Sequence, residues 1–149
     1  MLHPYSNNVT NRAIKTPKIY FTDTGLVCYL VGWNNVAVAM NGAMSGSLFE
    51  TFVIGEIVKS YLNAGRDTSH LFFYRDKEKK EIDLIIEDND ILYPIEIKKT
   101  AKPSKDMAKS FEVLSRIENR KTGQGCILCQ SEKQFTLSEN LVVIPVEYV

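Results

Sequence analysis

At 149 residues the chain is long enough for one domain with a real core, and 44% hydrophobic with 24% charged residues is an ordinary globular composition. Lysine plus arginine and aspartate plus glutamate each count 18, so the net charge is zero, which excludes capture of nucleic acid by bulk charge alone and leaves only a local patch for it. No apolar run reaches the roughly 18 residues that cross a bilayer, no secretory signal opens the chain, and three cysteines make no disulfide framework, so no membrane partner is expected and the expected compartment is the cytoplasm.

Met1 to Pro17 is polar and without period, and reads as a loop or the remnant of an upstream element. Lys18 to Phe21 reads as extended. Thr22 or Asp23 can cap a helix from Thr24 to Val31 whose apolar face is Leu26, Val27, Leu30 and Val31, and Gly32 tolerates the backbone that ends it. Trp33 to Gly46 reads as a loop, with Trp33, Met40 and Met44 as packing groups. Ser47 opens the strongest helical pattern, with Leu48, Phe49, Phe52, Val53, Ile57 and Tyr61 on one face. Glu50, three residues on, suits a capping box or a site role. Glu56 lies roughly 120° from Glu50 around the helix, so the two are not expected to share a role.

His70 to Arg75 reads as a strand rich in Phe and Tyr. Lys77, Lys79 and Lys80 alternate with acids in a solvated turn or a loop near a phosphate backbone. The segments 82–86 and 91–98 then alternate as two strands joined at Glu87, Asp88, Asn89 and Asp90, residues that favour turns. Pairing Ile86 with Ile91 makes Asp83 face Pro94. Asp83, Pro94, Glu96 and Lys98 then share one sheet face, while Ile82, Leu84, Ile86, Tyr93, Ile95 and Ile97 share the other. Asp83 and Glu96 become diagonal neighbours roughly 7–8 Å apart, within reach of one hard cation.

Beyond Lys98 come Lys99, Lys102, Lys105 and Lys109, a basic cluster suited to a phosphodiester or simply to solubility. Ser104 is placed to cap a helix to about Glu118, with Met107, Phe111 and Leu114 as its apolar stripe. Gly125 to Gln130 and Leu141 to Val146 read as strands. Cys126 and Cys129 form a CxxC, but residues three apart on a strand point to opposite faces, and Cys28, His3 and His70 alone remain to complete a zinc site, so they read as core cysteines. The expected architecture is α/β, a mixed central sheet flanked by helices.

The spacing of Asp83 from Glu96, Ile97 and Lys98 resembles the D…ExK signature of the PD-(D/E)xK nuclease superfamily, and GSLFE at 46–50 resembles its helix-borne glutamate. Ile82 stands where the signature has proline, a position that varies in the group. The stretches KIYFTDTGLVCYL, GSLFETFVIGEIVKS, LFFYRDKEKKEIDLII and YPIEIKKT resemble the C-terminal domain of bacterial and archaeal AAA-type ATPases. This resemblance implies a restriction-endonuclease-like fold over residues 46–149, preceded by a helical and loop segment, 1–45, that links to an ATPase domain. No GxxxxGK[ST] phosphate loop occurs in the chain itself, so ATP binding by that route is not expected. The implied activity is metal-dependent hydrolysis of phosphodiesters in nucleic acid. Asp83, Glu96, Glu50 and the carbonyl of Ile97 would hold Mg²⁺ or Mn²⁺, with Lys98 acting on the water or the phosphate. The alternative is a catalytically silent docking or regulatory module of the ATPase, with the same charges as a structural ion network.

Overall fold

A computed structural model describes residues 1–5 and 16–149. Ten positions of the opening segment, 6–15, lie outside the described residues, and with them most of the expected Met1–Pro17 loop. On either side of them the chain is structured rather than loop. Leu2 and Lys18 exchange backbone hydrogen bonds at 2.9 Å in both directions, and β1 (His3–Pro4) runs parallel to β2 (Leu71–Arg75).

The helices follow local signals. Asp23 caps α1 (Thr24–Leu30), its Oδ1 accepting from the Leu26 N–H at 3.0 Å. The expected loop at 33–46 instead contains α2 (Val36–Asn41), capped the same way by Asn35 Oδ1 on the Val38 N–H at 2.9 Å. The long helix α3 (Ser45–Asn63) starts before Ser47, with Met44 at its cap position and no side-chain cap. The capping-box reading of Glu50 is therefore wrong: its carboxylate turns to Lys18 and Tyr20 instead. Neither α1 nor α2 contributes a buried residue. Leu26, Leu30, Val31, Met40 and Met44, expected to pack, are exposed. Residues 24–49 carry no Asp, Glu, Lys, Arg or His at all.

Eight strands form one mixed sheet in the order β1-β2-β3-β4-β6-β8-β7, with β5 (Lys121–Thr122) beside β4. Strands β2 (Leu71–Arg75), β3 (Glu81–Asp88) and β4 (Ile91–Lys98) form an antiparallel meander. Strands β4, β6 (Gly125–Cys129) and β8 (Leu141–Pro145) run parallel, and β7 (Phe135–Ser138) closes the edge antiparallel to β8. The strands β1, β5 and β7 were not expected from the sequence. A 3₁₀ helix (Lys105–Arg116) rather than an α-helix joins β4 to β6, and Ser104 precedes it without a side-chain cap. Both sheet faces are covered. Val53, Ile54 and Ile57 of α3 pack on Leu71, Phe73, Leu84, Ile95, Ile97, Cys126 and Leu128. Val113 and Leu114 of the 3₁₀ helix pack with Ile82, Ile85 and Leu92.

Two details of β3 position the site. The hairpin turn is two residues, Asn89 and Asp90, with φ of 48° and 64°. These short polar residues tolerate the left-handed conformation that tight hairpins need. Ile86 consequently faces Tyr93, not Ile91, and Ile85 faces Pro94. The register moves by two residues, and since side chains alternate with period two, the acids keep their faces. The second detail is a β-bulge: Asp83 and Leu84 together oppose Phe73, because Phe72 pairs with Ile85 and Tyr74 with Ile82. The bulge moves Ile82 off the face of Leu84 and into the cluster of Ile85 and Leu92, correcting the strict alternation expected there.

Candidate functional site

The ladder between β3 and β4 runs from Asp88–Ile91 to Leu84–Ile95. At the next position the Asp83 side chain takes over: its Oδ2 accepts from the Ile97 N–H at 2.8 Å. Asp83 and Glu96 are both 6% exposed, buried carboxylates at the end of a hairpin. Lys98 reaches between them, with Nζ 2.5 Å from Glu96 Oε1 and 3.6 Å from Asp83 Oδ2. The structure thus brings together Asp83, Glu96, the Ile97 backbone and Lys98.

The charge within this group is not balanced. Among the described residues, Glu96 Oε2 is buried without a hydrogen-bond partner. Burial, and then the Asp83 charge, push the Glu96 carboxyl up to about 7 against the pull of Lys98. Burial also raises Asp83, with Lys98 opposing and Glu50 adding to the rise. Burial alone would lower Lys98, but the Asp83 and Glu96 charges outweigh it and hold the ammonium above its ordinary value. Lys98 therefore stays protonated at neutral pH and is a cation here, not a base.

Glu50 lies apart from that trio. Its Oε1 accepts from Tyr20 Oη at 2.6 Å and from Lys18 Nζ at 3.1 Å. Lys18 also pairs with Glu81, which receives Arg75 Nη2 at 2.7 Å. Although burial alone would raise it, the Lys18 and Arg75 partners hold Glu81 below its usual carboxylate value. Glu56 pairs with Lys59 at 2.7 Å on the surface. Sequence reasoning missed Lys18, Tyr20, Arg75 and Glu81. One signal was available: Lys18 and Tyr20 are two apart in an extended segment, hence on one side of it, and Glu81 stands two before Asp83.

Among the described residues, no three His, Cys, Asp or Glu side chains gather into a group that could hold a metal ion. The donor chemistry present still suits Mg²⁺ or Mn²⁺. Two carboxylates and the Ile97 carbonyl are hard oxygen donors, and the orphaned Glu96 Oε2 is a buried acceptor that a cation would satisfy. The CxxC offers no second centre. Cys126 packs on the α3 side and Cys129 in a cluster with Ala108 and Ile127, and burial pushes the Cys126 thiol up to about 12.

The flanking charges are mostly engaged. Asp76 Oδ1 accepts from the N–H groups of Glu78 at 2.9 Å and Lys80 at 3.0 Å, which organises the lysine-bearing turn. Lys99 donates to the Met40 carbonyl, and Lys109 pairs with Asp106 at 2.9 Å. Lys102 and Lys105 are exposed beyond the site. No helix among the described residues is long and apolar enough to cross a membrane.

Residues 1–37 match one family model, a domain of unknown function (DUF8612). An uncharacterised protein of Mycobacterium tuberculosis and one of Mycobacterium bovis are each 28% identical to it over 148 residues. The match takes in 99% of this chain and 32% of each relative, so the chain spans about a third of their length. No solved structure matches it. Residues 45–149, which hold α3, the sheet from β2 to β8 and the carboxylate group, match the model of a domain of unknown function (DUF4143), and the chain belongs to that family.

Proposed function

We propose that the chain carries a metal-dependent phosphodiesterase site of the restriction-endonuclease-like kind, acting on nucleic acid. The observation that carries this reading is the buried, partnerless Glu96 Oε2 beside the equally buried Asp83, with one ammonium between two carboxylates. Leaving such charge uncompensated is costly, and a divalent cation is the natural complement. Asp83, Glu96 and the Ile97 carbonyl would hold it, with Glu50 joining directly or through water. The bound ion would polarise a phosphate and lower the pKa of a water. Lys98, protonated and 38% exposed, is suited to steady charge developing on a phosphate oxygen. Lys102 and Lys105, both exposed, would add positive charge for a phosphate backbone.

A second reading, a docking module of a longer ATPase, has its own support. Lys98 already satisfies part of both carboxylates, and the charge-free surface of α1 and α2 is suited to a protein partner. The experiment is calorimetric Mn²⁺ titration beside cleavage assays on single- and double-stranded DNA and RNA, with wild type, Asp83→Asn and Lys98→Ala. The nuclease reading expects wild type to bind Mn²⁺ and cleave, Asp83→Asn to weaken binding at least tenfold, and Lys98→Ala to lose cleavage while binding Mn²⁺ as tightly or more so. Wild type that neither binds nor cleaves leaves the docking module.

A further inference from the structure

We infer that Lys18 and Tyr20 are positioning residues of the site, acting through Glu50, so that the site is completed by a segment outside the DUF4143 match. This rests on the metal-site reading above. Both residues fall in the 1–37 match, whereas Glu50, Asp83, Glu96 and Lys98 all fall in 45–149.

The geometry is a clamp. Tyr20 Oη and Lys18 Nζ converge on the same oxygen of Glu50 across 30 and 32 residues of sequence. One ammonium cannot serve both Glu50 on α3 and Glu81 on β3 unless it ties the helix to the strand two residues before Asp83. The clamp is itself fixed. Lys18 exchanges two backbone hydrogen bonds with Leu2, which is 4% exposed. Its ammonium lies 5.3 Å from the Phe73 ring centroid, and Phe73 is the residue opposite the bulge that carries Asp83. A surface ion pair would show none of these supports: the Lys18 side chain is only 18% exposed, between two aromatic rings. The phenol contributes direction. Two donors on one oxygen restrict how the carboxylate can turn and leave its other oxygen for a further ligand; Glu50 is the only carboxylate on α3 so held among the described residues, and its charge is felt at Asp83. Groups that orient a ligand from behind typically change metal affinity by about 10–100-fold.

The test uses the whole 149-residue chain and Mn²⁺ as the probe, read by calorimetry and by the electron paramagnetic resonance of bound Mn²⁺. Tyr20→Phe removes one hydroxyl and no charge. It is expected to weaken Mn²⁺ about tenfold, as is Glu50→Gln, and the double variant is expected to lose little more than either, since both act through one carboxylate. Lys18→Arg, which keeps the charge, is expected to stay near wild type. Tyr20→Phe binding Mn²⁺ within twofold of wild type, with only a lowered melting temperature, would reduce Tyr20 to a packing residue and overturn the inference. Additive losses in the double variant would overturn it too, and stand independently of how well Tyr20→Phe folds if Lys18→Met is paired with Glu50→Gln in the same way. Failure of the parent reading looks different: wild type and Asp83→Asn would then give the same flat titration, and both proposals fall together.

Discussion

Two pairs of carboxylates sit side by side along β3 and its neighbours, and their surroundings treat them in opposite ways. The outer pair, Glu50 and Glu81, shares Lys18 and gains Tyr20 and Arg75, four donors in all for two acids. The inner pair, Asp83 and Glu96, shares Lys98, gains one backbone N–H on Asp83 alone, and leaves Glu96 Oε2 without a partner among the described residues. Glu81 is held low while Asp83 and Glu96 are pushed up. A fold that only needed to bury acids has, on the same strand at Glu81, the means to neutralise them. The inner pair's shortfall is the feature on which the proposed metal site rests.

Breaking the inner pair is expected to have the largest effect. Lys98→Met removes the cation shared by two buried carboxylates and is expected to cost about 3 kcal/mol at pH 8, toward the low end for a broken buried pair because the lysine is partly open to water. Urea unfolding at pH 8 and pH 5 measures it, and the loss should shrink at pH 5, where Glu96 is protonated.

Glu96→Gln sharpens the contrast from the other side. A carboxyl raised from its ordinary 4.5 to about 7 binds its proton more tightly in the folded state, so its stabilising contribution is complete below about pH 4.5 and is lost as pH rises through 7. The amide cannot ionise. Glu96→Gln is expected to be more stable than wild type by about 3 kcal/mol at pH 8 and nearly equal to it at pH 4. A constant difference across that window would count against an uncompensated inner pair.

Lys18→Met tests the outer pair. Tyr20 still serves Glu50 and Arg75 still serves Glu81, so the expected loss is about 1–2 kcal/mol by thermal or chemical unfolding. Arg75→Ala should cost least, below about 1 kcal/mol, because its side chain is 43% exposed, against 18% for Lys18, and Lys18 remains on Glu81. An Arg75 effect as large as that of Lys98 would erase the distinction between the pairs.

Much of this was legible in the sequence. The alternation in 82–86 and 91–98 places Asp83 with Glu96 and Lys98 because a register error of two leaves every side chain on its own face. What periodicity could not reveal was the exception: a bulge looks in sequence like any other residue of the strand, so Ile82 was assigned to the wrong layer. The helix α2 was hidden because its pattern, VAVAMN, is β-branched and apolar without a helical stripe, and its cap, Asn35, lies in what reads as a turn. The role of Glu50 was half visible. Its place on α3 follows from helical spacing, but its partners come from Lys18 and Tyr20, too far back in sequence for any local rule to connect them.

The bulge also limits how this gene can change in length. Removing one residue between Ile82 and Ile85 would straighten the ladder while leaving those two isoleucines on their shared side, so the fold could absorb the loss. If Leu84 were the residue deleted, Asp83 would come to face Phe73 directly, on the side where Val53 and Ile54 pack, and the site would be lost with the domain still standing. Insertions and deletions compatible with a working site are thereby steered to the Asn89–Asp90 turn, and there to even numbers shared between the two strands. Among relatives, the count of residues from the aspartate to that turn and the count from the turn to the glutamate should change together, a matching that can be read from sequences alone.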